Sequence, residues 1–366
     1  MPMKDLIDFN DITENEWSEL HSIASDIMKN SGKYIDSCKD KILATLFYEP
    51  STRTMFSFQT AMLPLGGKVI GFSEPLNSSI AKGENLQDTI KTVSCYADLI
   101  VMRHFREGAA MAAAMCSDVP VINAGDGGHL HPTQTLTDLT TISFEKGRIN
   151  NLVVGICGDL KNGRTVHSLI KAMSRFENIS FVLISPDSLK TPEYLTKMLK
   201  RKNIGFIETA DLEIYMGELD ILYMTRIQAE RFADKSEYER NKGIYVLDCE
   251  KLKPARSDMI IMHPLPRVDE IAHEVDQDPR AKYFKQAKYG LYIRMALILR
   301  MLTGSFSGVA GKDIQWENYT HCCSNPNCIT NSERYLPQHF SQVKWEQGIY
   351  YCGYCERQYD GKGNRI

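Results

Sequence analysis

The chain has 366 residues, 43% of them hydrophobic and 24% charged, the balance of a globular protein large enough for two or three domains with substantial cores. Lys and Arg number 43 against 46 Asp and Glu, a net charge of -3, so charge gives no reason to expect nucleic acid or another polyanion as partner. No basic leader followed by an apolar stretch opens the chain and no apolar run is long enough to cross a bilayer, so the expectation is a cytoplasmic protein with no membrane partner.

Short apolar runs alternate with helical patterns along roughly residues 1–305. Strands are expected at Lys41–Tyr48, Val69–Phe72, Asp98–Arg103, Val119–Asn123, Leu152–Gly158, Ser180–Ile184, Asp220–Thr225, Gly243–Asp248 and Met259–His263. Helices are expected at Leu86–Tyr96, Gly108–Cys116, Pro132–Lys146 and Thr165–Phe176. This alternation reads as α/β: two doubly wound parallel-sheet domains, divided near Gly125–His131, with a last long helix at about Arg294–Thr303 free to pack back on the first.

After the first expected strand the chain runs Pro50-Ser51-Thr52-Arg53-Thr54, and Met55, Phe58, Met62 and Leu65 then recur at helical spacing. Ser51 is the expected N-cap. Unpaired N–H groups at a helix start, several hydroxyls and a fixed guanidinium suit a phosphate without any glycine-rich loop, and an ordinary capped helix with a surface arginine reads equally well from this motif alone. In doubly wound sheets ligands bind beyond the carboxyl ends of strands, so Arg103-His104, His131-Pro132-Thr133-Gln134, Lys161 to Arg164, Thr225 to Gln228 and His263 to Arg267 are candidate site segments. Each alone reads more readily as a helix cap or a solvated turn. Together they suit a substrate with several negative charges. No Gly-x-Ser-x-Gly elbow, Walker lysine or Gly-x-Gly-x-x-Gly occurs, which favours positioning and carbonyl polarisation over covalent catalysis.

Five of the ten cysteines crowd into the tail. Cys-x4-Cys (Cys323, Cys328) followed by Cys-x2-Cys (Cys352, Cys355) is the usual ligand pattern of a structural zinc site, with Cys322, His321 and His339 as neighbouring alternatives. Disulfides are the competing reading, and a chain without a secretory leader disfavours them.

Ser51-Thr52-Arg53-Thr54, Ser79 to Glu84, Val101-Met102-Arg103-His104, His131-Pro132-Thr133-Gln134 and His263-Pro264-Leu265-Pro266-Arg267 resemble, in order and spacing, the catalytic chain of the aspartate carbamoyltransferases. The resemblance implies transfer of a carbamoyl group from carbamoyl phosphate to L-aspartate, in pyrimidine biosynthesis. It assigns Ser51, Arg53 and Thr54 to the phosphate and Arg103, His131 and Gln134 to the carbamoyl group, with Thr54, Arg103 and His131 polarising its carbonyl. Ser79 and Lys82 belong to a loop that in the family reaches into a neighbouring subunit's site, where the resemblance assigns both to carbamoyl phosphate and Lys82 also to aspartate, which implies a homotrimer, or a higher multiple of it, with shared sites. Arg164, Arg226 and Gln228 match positions that hold the aspartate carboxylates, and Leu265 and Pro266 those that offer backbone groups. The catalytic set is then Arg53, Thr54, Lys82, Arg103 and His131. The implied domains are a carbamoyl phosphate-binding domain at 1–130 with a returning helix at about 288–305, an aspartate-binding domain at 131–287, and a zinc-binding β domain at 306–366.

Two departures stand out: Met55 occupies a place usually basic in the family, and the Lys82 loop has one lysine where some members have two. Ornithine enzymes share the phosphate motif but carry His-Cys-Leu-Pro and Ser-Met-Gly segments. Here Pro264 replaces that cysteine and Ser-Met-Gly is absent, so aspartate is the expected acceptor. The tail resembles the zinc domain of the bacterial regulatory chain, a likeness that favours Cys323 over Cys322 as ligand. Residues 306–366 are too few to add that chain's nucleotide-binding domain, so the expectation is a structural module docked on the catalytic domains without CTP or ATP control. The alternative function is a catalytically silent homologue that serves assembly.

Overall fold

The computed structural model describes residues 5–75, 79–227, 235–304, 321–343 and 348–365. Two compact units emerge: Met1–Thr133 with Leu291–Ile366, and Gln134–Gly290. Among the described residues, no helix is long and apolar enough to cross a membrane.

The first unit holds a four-stranded parallel sheet in the order β2 (Lys68–Phe72), β1 (Ile42–Phe47), β3 (Leu99–His104), β4 (Val121–Asp126). β1 and β3 are buried almost throughout, as unbroken apolar runs in a covered parallel sheet must be. β2 is the edge strand and is mostly exposed. Helix α1 (Glu14–Lys29) precedes β1, helices α2 (Thr52–Met62), α3 (Leu86–Ser94) and α4 (Ala109–Cys116) connect the strands, and Asn85 caps α3 by accepting from the Asp88 N–H at 2.8 Å.

The same unit carries a small antiparallel sheet, β10 (Phe340–Gln342), β11 (Ile349–Cys352) and β12 (Gln358–Asp360), around the tail cysteines. This module docks on its own chain. Cys323, Cys328, Ile329, Phe340, Tyr354 and Tyr359 share one hydrophobic core with Leu86 and Ile90 of α3 and with the alanines of α4. That contact explains α4: its sequence Ala-Ala-Met-Ala-Ala-Ala-Met-Cys has no polar face because the sheet lies on one side and the cysteine module on the other.

The second unit is a five-stranded parallel sheet, β7 (Phe206–Thr209), β6 (Ile179–Ile184), β5 (Leu152–Cys157), β8 (Ile221–Met224), β9 (Ile260–Met262). Helices α5 (Pro132–Lys146), α6 (Arg164–Met173), α7 (Glu193–Arg201), α8 (Lys235–Asn241) and α9 (Tyr283–Thr303) complete the helices among the described residues from residue 132 on, α5 and α9 each running across a boundary between the units.

Three expectations need correction. Gly243–Asp248 is not a strand: Leu247 alone finds a ladder partner, in a single bridge to Ile271, so no run of bonds can form. The strand β7 was not expected, because as an edge strand with an exposed centre it lacks the apolar signature of its neighbours. The last helix begins at Tyr283, well before Arg294, since Gly290 continues the helix.

Candidate active site and metal centre

Three neighbouring strands of the first unit, β1, β3 and β4, lead to Ser51–Thr54, Arg103 and His131, part of the set expected to hold carbamoyl phosphate. Beyond β1 the chain turns at Ser51 into α2. Ser51 stands at the N-cap position, but its hydroxyl makes no capping bond and donates instead to Thr54 Oγ1 at 3.1 Å. Sequence alone suggests a side-chain cap; the structure has Ser51 and Thr54 hydroxyls joined beside the helix start, with Arg53 exposed and Thr54 buried. Arg103 sits in β3 opposite Phe47 of β1, and its carbonyl accepts from the Tyr48 N–H at 2.8 Å. Its guanidinium lies 3.0 Å from the Glu49 carboxylate, so this arginine has an ion-pair partner that spacing did not reveal. His131 follows β4, is 5% exposed, and has Thr133 Oγ1 3.4 Å from Nδ1. Lys82 is exposed at the end of a short 3-10 helix, Ser79–Lys82, that follows edge strand β2.

In the second unit the carboxyl ends of β5, β8 and β9 are adjacent. Gly158 lies directly after β5 with φ +129, and a Cβ there would come within 2.1 Å of the Thr225 carbonyl after β8, so only glycine permits this approach. Arg164 opens α6 and Arg226 follows β8, both half-buried. His167 Nε2–H donates to the Leu160 carbonyl at 2.7 Å and pins the turn leading to Arg164; its burial lowers the pKa to about 4. Gln134 donates through Nε2 to Asp138, which also accepts from Tyr223 Oη at 3.1 Å and Gln286 Nε2 at 2.7 Å. Leu265 has φ +52 and a cis bond to Pro266. His263 supports that segment: Nδ1 accepts the Leu265 N–H at 2.8 Å, so Nε2 carries the proton donated to Glu270 at 2.6 Å. A small open recess lined by Gly158, Thr225, Ile227, Tyr238, Lys242 and Glu270 lies at these strand ends. Gln228 lies outside the described residues.

The tail thiols converge. Cys323, Cys328, Cys352 and Cys355 are all buried, their Sγ atoms lie within 4.8 Å of one another, and Cys323–Cys355 and Cys328–Cys352 approach to 3.6 and 3.9 Å. A tetrahedral ion with metal–sulfur bonds of about 2.3 Å requires sulfur separations of about 3.8 Å. The site fits a metal, and the four residues are free cysteines. Cys322 is exposed and outside the cluster. Hydrogen bonds from Cys328, then from Cys352 and Cys355, hold the Cys323 thiol well below its ordinary pKa.

Sequence reasoning missed the buried carboxylates that frame this architecture, Glu107 and Asp126. Only the Asn-Ala-Gly-Asp-Gly-Gly composition before His131 hinted at the second.

Residues 4–143 match the family described as aspartate/ornithine carbamoyltransferase, carbamoyl-P binding domain, and residues 150–301 match its Asp/Orn binding domain. The chain belongs to the aspartate/ornithine carbamoyltransferase family. Among aspartate carbamoyltransferase catalytic subunits, that of Clostridium perfringens is 61% identical over 300 residues and that of Clostridium botulinum 59%, each alignment covering 82% of this chain and 98% of the relative. The catalytic subunit of M. jannaschii aspartate transcarbamoylase superposes with a TM-score of 0.77 at 50% identity, covering 82% of this chain and 98% of that one. Trypanosoma cruzi aspartate transcarbamoylase in complex with carbamoyl phosphate gives 0.77 at 38% identity, covering 81% and 95%. Residues 320–364 match the metal binding domain of the aspartate carbamoyltransferase regulatory chain. This carbamoyltransferase chain therefore joins in one polypeptide a catalytic-chain sequence and a regulatory-chain metal domain.

Proposed function

We infer that the chain catalyses carbamoyl transfer from carbamoyl phosphate to the amine of L-aspartate, giving N-carbamoyl-L-aspartate and phosphate, as a cytoplasmic enzyme of pyrimidine biosynthesis. The observation that carries this reading is the delivery of Ser51–Thr54, Arg103 and His131 by three adjacent strand ends in a chain 61% identical to an aspartate carbamoyltransferase catalytic subunit. Ser51, Arg53, Thr54 and Lys82 take the phosphate, with the N–H groups of the α2 start. Ser79 belongs to the same loop as Lys82. Thr54, Arg103 and His131 polarise the carbamoyl oxygen, and Gln134, already oriented by Asp138, accepts from the carbamoyl amide. Arg164, Arg226 and Gln228 take the aspartate carboxylates, while the backbone of Leu265 and Pro266 directs the amine.

The chemistry is attack by a neutral amine on a carbonyl, so transition-state charge develops on the carbonyl oxygen and then on the departing phosphate. Fixed donors beside those atoms stabilise charge that the ground state lacks. No protein base is required if the leaving phosphate takes the amine proton.

The four cysteines hold zinc, a d¹⁰ ion content with four thiolates and without redox chemistry. Its contribution is structural: for so small a module, ion binding supplies folding energy. The domains are residues 1–130 with the returning helix, 131–287, and the zinc domain at 306–366. A homotrimer, or a multiple of it, shares sites through the Ser79 and Lys82 loop.

The test is an assay of the purified chain with carbamoyl phosphate and aspartate, with a phosphonate–aspartate bisubstrate analogue as inhibitor. Turnover with tight inhibition supports the reading; absence of turnover in zinc-loaded protein rejects it.

A further inference from the structure

Asp126 ends β4, is 1% exposed, and its carboxylate ties together three separate pieces of the first unit. Oδ1 accepts from the Leu130 N–H at 3.0 Å and from Asn123 Nδ2 at 3.1 Å. Oδ2 accepts from the Gly108 N–H at 2.7 Å and lies 3.0 Å from His129 Nδ1. The Asp126 backbone closes the same turn, its N–H donating to Leu130 and its carbonyl accepting from His129. The turn so closed leads directly to His131.

Two of these partners rest against the cysteine module. Gly108 has φ +82, and a Cβ there would come within 2.4 Å of the Tyr354 side chain and 2.6 Å of its backbone, so the module packs on the bare Cα. His129 faces the module with its other nitrogen, Nε2 lying 3.5 Å from the Glu356 carboxylate. Burial favours a neutral His129, but the carboxylates of Asp126 and then Glu356 together outweigh it and hold the pKa well above the ordinary value.

We propose that Asp126 is a positioning residue that couples docking of the cysteine module to the turn delivering His131, with His129 and Gly108 as the two links. The module fixes Gly108 and His129; they fix the Asp126 carboxylate; that carboxylate fixes the Gly127–Leu130 turn and so the direction of the His131 imidazole. A buried carboxylate surrounded by donors is costly to reorganise, which is why it transmits position. The proposal rests on the reading of His131 as a donor to the carbamoyl group.

The experiment uses the full-length, zinc-loaded chain and the variants His129→Ala, His129→Asn, Asp126→Asn and His131→Ala, measuring kcat, KM for both substrates, metal content and amide hydrogen exchange over residues 126–131. His129→Ala is expected to keep its metal and its KM for aspartate within about twofold, to lower kcat by about tenfold, and to speed exchange in the turn by at least tenfold, because small misplacements of catalytic groups are amplified in turnover. His129→Asn, which can still donate to one carboxylate, is expected to recover most of the loss, and Asp126→Asn to exceed His129→Ala. Wild-type kcat together with wild-type exchange in both His129→Ala and Asp126→Asn overturns the coupling. Faster exchange with unchanged kcat overturns the positioning role when His131→Ala is inactive. If His131→Ala instead turns over normally, the catalytic reading of His131 fails, and faster exchange in His129→Ala still supports the structural coupling.

Discussion

The Glu107 carboxylate accepts a 2.7 Å hydrogen bond from Asn325 Nδ2, joining the residue two before α4 to the first cysteine loop of the tail. The backbones meet at the same place: the Glu107 N–H donates to the Asn327 carbonyl and the Glu107 carbonyl accepts from the Ile329 N–H, each at 2.9 Å. Glu107 is 5% exposed, so the bond is made away from water. Asn325→Ala should therefore leave a buried carboxylate short of a donor, at a cost of about 1–3 kcal/mol. Thermal unfolding and limited proteolysis of the tail would read it, with easier cleavage after residue 304 and little change in the second unit.

Cys328→Ser removes one of four converging sulfurs. Metal content per chain should fall sharply, and the β10–β12 sheet should lose exchange protection, since ion binding supplies folding energy to so small a module. Cys322→Ser should do neither, because Cys322 is exposed and outside the cluster.

Arg103→Ala should lower turnover on the order of 100-fold or more, the usual cost of losing one preorganised donor to a developing oxyanion. Because Glu49 pairs with this arginine at 3.0 Å, Arg103→Lys should recover only part of the loss: a lysine cannot serve the carboxylate and the substrate with a planar fork. Steady-state kinetics on both variants tests this.

His104 is buried, and its Nδ1 accepts the Arg106 N–H at 2.8 Å; burial lowers its pKa to about 3. Between pH 6.5 and 3 the unfolded chain binds a proton there that the folded chain refuses, so stability falls as pH drops through that window, by up to about 1.4 kcal/mol per pH unit. His104→Gln, which keeps an acceptor without the titration, should flatten that part of the profile. Denaturant melts at pH 7 and pH 5 for both proteins measure the difference.

Much of this was legible in sequence for a physical reason. Parallel strands covered on both faces must be apolar runs, so β1, β3, β5 and β6 announce themselves, and site segments follow from the polar residues after them. Elements held by few neighbours did not: β7 is an exposed edge, and Gly243–Asp248 has strand-like composition but a single bridging residue. The four metal-binding cysteines were legible because small spacers force short turns. Their docking surface was not, although the wholly apolar α4 was a sign that something must cover its second face.

Sequence by itself determined the fold class, the motifs with their order, and the two cysteine pairs of the metal centre, since local composition and spacing dictate each; that Cys323 and not its neighbour Cys322 joins the cluster was decided by burial. Tertiary structure alone decided that Ser51 bonds Thr54 rather than capping α2, that Arg103 meets Glu49, and that Glu107 and Asp126 receive donors from the cysteine module and the His131 turn. Those relationships join residues far apart in the chain or choose among equivalent local bonds. Only burial, which makes an unpaired carboxylate or amide expensive, fixes which partners they take.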